Sequence, residues 1–280
     1  MTDTHQSSLP RRKFLAALGS VTVGAVATSA VGGPRPVSAV GAAATDHPIV
    51  LVHGAWHGGW CWDRVAPLLR ATARPVHVAT LTGLGERVHL ARSVTGLSTH
   101  IDDVVNLITW EELKDVVLVG HSYGGLVITG VADRVPDRLA HLVFVDAAVP
   151  ISGEAFQDFH PPEFAAKNRA AAEASGGVAI PPLAAKDFGI TEPRDLDWVD
   201  RRLTPHPLLT YVDPLALRNP ARNAISSTYI DCFQPPLASL NTSKARVQAQ
   251  AGWTYQRLET GHDCMVTAPS MLAQLLQAVI

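Results

Sequence analysis

The sequence predicts an α/β protein with a mostly parallel, doubly wound sheet. Short apolar runs typical of buried strands alternate with segments whose apolar residues recur at helical spacing. One run, Val116 to Val119, leads through a glycine-rich hexapeptide directly into an apolar helix pattern. Several polar residues also follow the ends of separate predicted strands, where parallel sheets bind ligands. These three observations place a candidate site at the carboxyl edge of the sheet.

Composition indicates one globular domain behind a leader. The chain has 280 residues, of which 47% are hydrophobic and 17% charged, and its formal net charge is −2. Such a near-neutral balance gives no electrostatic reason to expect a nucleic-acid partner. We therefore divide the chain into residues 1–45 and a domain of residues 46–280.

The leader has the pattern of a twin-arginine signal peptide. Arg11 to Leu15 reads Arg-Arg-Lys-Phe-Leu, and the moderately apolar stretch Ala16 to Val31 follows. Gly19, Gly24 and Ser29 interrupt that stretch, which argues against a stable membrane anchor. We expect export by the twin-arginine route to the periplasm or the medium. The alternative is a disordered, alanine-rich terminus with a chance arginine pair.

The first predicted strand, Pro48 to Val52, runs into a loop rich in glycine and aromatic residues. His53 is interpreted as a turn residue whose ring packs under the loop. Two side chains of the loop, Trp56 and His57, either line a pocket or pack beneath it. The next predicted elements are a helix from Trp62 to Thr72, a strand from Val76 to Ala79, and a helix from His100 to Thr109 that Ser98 or Thr99 would cap.

The hexapeptide Gly120 to Gly125 has the pattern Gly-x-Ser-x-Gly between a strand and a helix. In that context the pattern indicates a nucleophile elbow, in which a strained turn presents Ser122. The backbone N–H of Tyr123 would lie at a helix N-terminus and face a developing oxyanion. The alternative is a glycine-rich turn with an incidental serine.

The chain after the elbow helix predicts a strand from His141 to Val145, followed by Asp146. Residues 151–222 are rich in proline, alanine and charge, and predict a small helical cap over the site. Its aromatic residues are either pocket walls or packing between cap and core: Phe156, Phe159, Phe164, Phe188 and Trp198. From the cap we select Phe156 and Trp198, which with Trp56 and His57 make four predicted pocket residues.

Two further strands and a helix complete the predicted domain, namely Ile225 to Ile230, Trp253 to Leu258 and Ser270 to Val279. His262 follows the last strand. A serine hydroxyl needs a base within hydrogen-bond reach, and His262 is the natural candidate. The three cysteines are an odd number, so at least one is unpaired, and Cys232 and Cys264 are candidates for a pair if both lie on loops at the same sheet edge. No cysteine or histidine spacing is typical of a metal site, so we expect no metal.

Three motifs resemble the plant methyl-esterase and hydroxynitrile-lyase branch of the α/β-hydrolases and its bacterial relatives. They are His53 to Trp62, Gly120 to Gly125 and Gly261 to Met265. The resemblance implies the α/β-hydrolase fold with a helical cap after the sixth strand, and a cofactor-free carboxylesterase acting on small esters. It also implies that the backbone N–H groups of Ala55 and Tyr123 form the oxyanion hole.

Two positions favour the esterase over the lyase within this branch. In the hydroxynitrile lyases a threonine stands where this chain has Ala55, and a lysine stands where it has Asp263. Other chemistry on the same fold, such as lactone or amide hydrolysis, remains an alternative, as does a non-catalytic ligand-binding protein.

The third member of the triad departs from the family pattern. The family places its acid shortly after the Tyr-Ile strand, where this chain has Pro235. Asp146 occupies a position that resembles the acid site of some haloalkane dehalogenases of the same fold, and we favour it. Asp231 is the alternative acid, although strand alternation would point it away. A third possibility is that His262 has no carboxylate partner.

Overall fold

A computed structural model describes residues 47–279, and the predicted signal peptide lies outside this range. Six strands form one sheet: β1 Ile49–Val52, β2 Val76–Ala79, β3 Val116–His121, β4 Leu139–Val145, β7 Ser226–Cys232 and β8 Trp253–Leu258. Their order in the sheet is β2-β1-β3-β4-β7-β8, and every pairing is parallel. The predicted fold class is therefore confirmed.

Helices cover both faces of the sheet, and this explains why its central strands are apolar runs. Along β1, Ile49 and Leu51 belong to one buried core and Val50 and Val52 to another. The helices outside the cap are α1 Ala66–Arg70, α2 Leu97–Trp110, α3 Gly124–Arg134, α7 Asn241–Ala249, α8 Cys264–Thr267 and α9 Pro269–Val279. Within the described range, no helix combines the length and the apolar character needed to cross a bilayer.

The cap lies between β4 and β7. It contains α4 Pro162–Ala174, α5 Pro193–Asp200 and α6 Leu208–Val212, together with a two-stranded antiparallel sheet of β5 Ala179–Ile180 and β6 His206–Pro207. It follows the fourth strand of the described sheet rather than the sixth, because only β1, β2 and β3 precede β4. The pair β5–β6 was not predicted, since two-residue strands have no readable period.

Two helix starts differ from the prediction. The helix predicted from Trp62 begins at Ala66, because Pro67 suits only the first turn of a helix and the preceding residues form a separate 3-10 turn. The caps predicted at Ser98 or Thr99 are wrong. Helix α2 begins after Gly96, and Asp213 of the cap accepts the N–H of Leu97 at 3.0 Å.

Candidate active site

The turn between β3 and α3 holds Ser122 in a strained conformation. The φ angle of Ser122 is 55°, in the left-handed region that non-glycine residues rarely adopt. A Cβ atom at Gly120 would lie 2.7 Å from the carbonyl oxygen of Gly124, and one at Gly124 would lie 2.9 Å from that of His53. The turn therefore requires glycine on both sides of Ser122, and it leaves that side chain 8% exposed.

The loops after β4 and β8 bring Asp146 and His262 together. The Nδ1 atom of His262 lies 2.7 Å from Oδ2 of Asp146, and both side chains are buried. Next to a carboxylate, Nδ1 carries the hydrogen, so Nε2 is the nitrogen that can accept a proton. Of the two candidate acids, the structure brings Asp146 to His262. Asp231 lies inside β7, not after it, and contacts Lys244 instead.

Lys244 of α7 bridges the two carboxylates. Its Nζ atom lies 3.2 Å from Oδ1 of Asp146 and 2.6 Å from Oδ1 of Asp231. Burial would lower the pKa of Lys244, but the two carboxylates outweigh burial and raise it above its ordinary value. A cation thus stands behind Asp146 on the side away from His262. Sequence reasoning missed this lysine, because it stands in an ordinary polar helix.

The two predicted oxyanion donors are backbone amides without an acceptor in the described part of the chain. Ala55 lies in the loop after β1, and Tyr123 immediately precedes α3. The Tyr123 amide therefore lies at the positive end of a helix dipole. A Cβ atom at Gly54 would lie 2.8 Å from that of Ser122, so the loop that carries Ala55 approaches the serine closely.

A cavity of about 740 Å³ contains Ser122 and His262. Its charged lining residues, Glu163, Lys167 and Asp187, are exposed at the surface. Burial lowers the pKa of His160 to about 4, so this ring is neutral at pH 7. The apolar lining consists of Trp56, Phe156, Pro161, Phe164, Leu183, Phe188, Leu237, Ala238 and Leu240.

Of the four predicted pocket residues, two line the cavity and two do not. Trp56 and Phe156 are lining residues. His57 is 1% exposed and is hydrogen-bonded beneath the loop. Trp198 of α5 packs edge-on against Trp60, which follows β1, and the guanidinium groups of two arginines lie over its ring. His57 and Trp198 therefore pack within the protein and do not line this cavity, which is the alternative that the sequence left open for both.

His53 has the turn role that the sequence indicates. Its Nε2 accepts the N–H of Leu81 at 3.1 Å, and its Nδ1 donates to the carbonyl of Gly54 at 2.8 Å. Burial lowers its pKa to about 3, so the ring stays neutral and serves to hold the loop.

Within the described residues, the one group whose side chains could together ligate a metal is already hydrogen-bonded inside the protein. Cys61, Cys232 and Cys264 are buried free thiols. His121, His262 and Asp263 have potential metal-ligand atoms within 4.8 Å of one another. Each of the three already makes a hydrogen bond within the protein, to His262 O, Asp146 and His57 respectively. The donor set therefore fits proton transfer better than metal binding.

Comparisons with known proteins agree with the fold. Residues 49–275 match the family model described as "Alpha/beta hydrolase family". A carbendazim hydrolyzing esterase from Nocardioides sp. (strain SG-4G) is 40% identical over 241 residues, which cover 82% of this chain and 98% of that protein. Methylesterase 2 of Arabidopsis thaliana is 42% identical over 105 residues, 36% of this chain and 39% of that protein.

A solved structure is similar over nearly all of the domain. It is an extracellular alpha/beta-hydrolase from a Paenibacillus species, described as sharing structural and functional homology with tobacco salicylic acid binding protein 2. It matches with a TM-score of 0.73 and 24% identity, covering 82% of this chain and 97% of that one. At this identity the likeness supports the fold.

Proposed function

The chain belongs to the alpha/beta hydrolase family, and from this membership we propose that it is a serine carboxylesterase acting on small esters through an acyl-enzyme. The observation that carries the proposal is a strained serine and a histidine that line one cavity, Ser122 and His262, with His262 hydrogen-bonded to the carboxylate of Asp146. Two unengaged backbone amides, of Ala55 and Tyr123, belong to the adjoining turns.

Each residue has a role in the proposed reaction. Ser122 Oγ attacks the ester carbonyl while His262 Nε2 takes its proton, and Asp146 stabilises the resulting imidazolium. The N–H groups of Ala55 and Tyr123 bind the oxyanion of the tetrahedral intermediate. His262 then protonates the leaving alcohol, and water hydrolyses the acyl-enzyme by the same steps. This chemistry requires no cofactor or metal.

The cavity lining favours an uncharged substrate. Its inner wall is aromatic and aliphatic, and apart from the catalytic residues its charged groups are at the exposed rim. An anionic acyl group would lose its hydration there without gaining a partner. The proposed substrates are therefore neutral small-molecule esters with an apolar acyl or aryl part.

A panel of p-nitrophenyl substrates tests this proposal. We expect hydrolysis of neutral acetate, butyrate and benzoate esters. For a hemisuccinate ester of similar size we expect kcat/KM to be at least about tenfold lower, a difference of about 1.4 kcal/mol in transition-state stabilisation. A matched anilide should react far more slowly than the ester. Hydrolysis of the anilide alone, or of no ester at all, would contradict the assignment.

We also propose that residues 1–45 are a twin-arginine signal and that the domain of residues 46–280 is exported to the periplasm or beyond. The support is the Arg11-Arg12 pattern in the sequence. Fractionation of a bacterial host with a twin-arginine pathway should find esterase activity outside the cytoplasm. Replacing both Arg11 and Arg12 by lysine should keep it inside, and unchanged export of that variant would refute the proposal.

A further inference from the structure

The peptide group between Ala55 and Trp56 is held at both ends by histidine side chains. Its carbonyl oxygen, on Ala55, lies 2.7 Å from Nδ1 of His57. Its N–H, on Trp56, donates to Nδ1 of His206 in the cap at 3.4 Å. This peptide directly follows the amide that the proposed function assigns to the oxyanion hole.

The backbone conformation of Trp56 explains why this peptide needs hydrogen bonds to fix it. Its φ angle is 64°, and a non-glycine residue in this region costs about 1–3 kcal/mol. The surrounding structure must therefore hold the loop in place. The cap contributes the bond from Thr204 N–H to the carbonyl of Trp56 at 2.9 Å, and the indole N–H of Trp56 donates to Ile180 O at 3.2 Å.

The second ring nitrogen of His57 reaches Asp263. Nε2 lies 3.0 Å from Oδ2 of Asp263, and the two side chains are 1% and 0% exposed. The carbonyl of Ala55 can only accept a hydrogen bond, so Nδ1 of His57 must carry a hydrogen. If Asp263 is ionised, Nε2 carries a hydrogen as well and the ring is an imidazolium. Burial alone would lower the pKa of His57, but the charge and hydrogen bond of Asp263 and the Ala55 carbonyl raise it.

The pair also connects two parts of the site. His57 stands in the loop after β1, and Asp263 directly follows His262. The hydrogen bond between them fixes the loop that carries the Ala55 amide relative to the loop that carries the base, His262. The pair makes no hydrogen bond to Asp146, and so it is separate from the His262–Asp146 pair.

We propose that Asp263 and His57 form a positioning ion pair that fixes the Ala55–Trp56 peptide, and thereby the direction of the Ala55 N–H. The inference rests on the proposed function, because the Ala55 amide has this role only in a serine esterase. Neither residue touches substrate. Their effect is to stop the strained loop from turning the amide away from the developing oxyanion.

The first test replaces His57 by leucine and by asparagine. Leucine removes the donor to the Ala55 carbonyl, whereas the amide of asparagine replaces Nδ1. We expect His57→Leu to lower kcat by about 100-fold with KM within about threefold, the size of effect seen when one oxyanion donor is lost. His57→Asn should recover kcat to within about tenfold of the original protein.

The control is His141→Leu, which removes a partly buried histidine of β4 that bonds Thr228 and lies outside the cavity lining. We expect an unchanged kcat, with thermal unfolding reporting any loss of stability. Equal kcat losses for His57→Leu and His57→Asn, or no loss in His57→Leu, would overturn the proposal.

A boronic acid separates this inference from the proposed function. Its boron binds the oxygen of Ser122 and presents an oxygen to the oxyanion hole, whereas a plain aryl alcohol only fills the cavity. We expect His57→Leu to weaken boronate binding about 100-fold and alcohol binding less than threefold. If the original protein binds no boronate at Ser122, the proposed function fails. If the original and His57→Leu bind it equally, only the positioning role fails.

NMR can detect the charge of the His57–Asp263 ion pair. Nitrogen NMR at pH 7 should find both ring nitrogens of His57 protonated in the original protein. In Asp263→Asn one of them should lose its hydrogen, because the amide can donate to Nε2 of a neutral ring. A neutral His57 ring in the original protein would contradict an ion pair.

Discussion

Ser122→Ala should lower kcat for p-nitrophenyl ester hydrolysis by about 10⁶-fold, to the residual rate that binding and oxyanion stabilisation alone support. The reason is that the substitution removes the only nucleophile in the scheme. The cavity, the His262–Asp146 pair and the backbone amides do not depend on the hydroxyl. Steady-state kinetics with the purified variant, freed of host esterases, measures the loss.

The matched control is Ser227→Ala. Ser227 is a buried serine of β7 that does not line the Ser122 cavity. Its hydroxyl donates to the carbonyl of Ile225 at 3.2 Å. Its loss should leave kcat within about threefold, since it changes only one local hydrogen bond. A Ser122→Ala enzyme with more than a hundredth of the original kcat would show that another group attacks the ester.

Asp146→Asn should lower kcat by roughly 10⁴-fold, the cost of the corresponding change in a serine-protease triad. An asparagine can donate an N–H to Nδ1 of His262, which favours the wrong tautomer of the ring. It also removes the negative charge that stabilises the imidazolium formed during attack. Single-turnover kinetics would place the loss in the acylation step.

The comparison variant is Asp231→Asn. Asp231 makes ionic contacts with Lys244 and Arg257, and no hydrogen bond to His262. We expect kcat to fall by less than about tenfold, through the altered surroundings of Lys244 alone. A loss of 10³-fold or more in Asp231→Asn, with Asp146→Asn nearly active, would reverse the assignment of the acid.

Local patterns explain how much of the site could be predicted from the sequence. Gly120 to Gly125 combines a buried strand, small residues and a helix start within a few positions. Such a turn depends on neighbouring residues, and the sequence therefore indicated the strained Ser122. His262 could be predicted for a similar reason, because it follows the last strand and precedes the last helix.

The acidic residue of the triad is harder to predict, because its identity depends on which strands are neighbours in the sheet. In the sheet β4 lies between β3 and β7, so the ends of β4 and β7 are close and both carry a carboxylate. Position along the chain does not say which one faces His262. The difference comes from the backbone, since Asp146 lies past the end of β4 with a φ angle of 39°, whereas Asp231 is still within β7.

The pocket walls illustrate a second limit. The cap carries aromatic residues that pack in different directions. Trp198 turns towards Trp60 and two arginines, while Phe156 turns into the cavity. An amphipathic period shows that one face of a helix is buried, but not against what. The sequence could not decide between the two roles of His57 for a similar reason, because its partner Asp263 is 206 residues away.

Covalent labelling with a fluorophosphonate identifies the nucleophile itself, whereas kinetics report only a rate. Attack by Ser122 would expel fluoride and leave a stable phosphonyl serine that peptide mass spectrometry can locate. We expect one adduct per chain, on the peptide containing Gly120 to Gly125, with esterase activity lost in proportion and no adduct in Ser122→Ala. Full esterase activity after exhaustive labelling, or inactivation accompanied by an adduct at another residue, would contradict it.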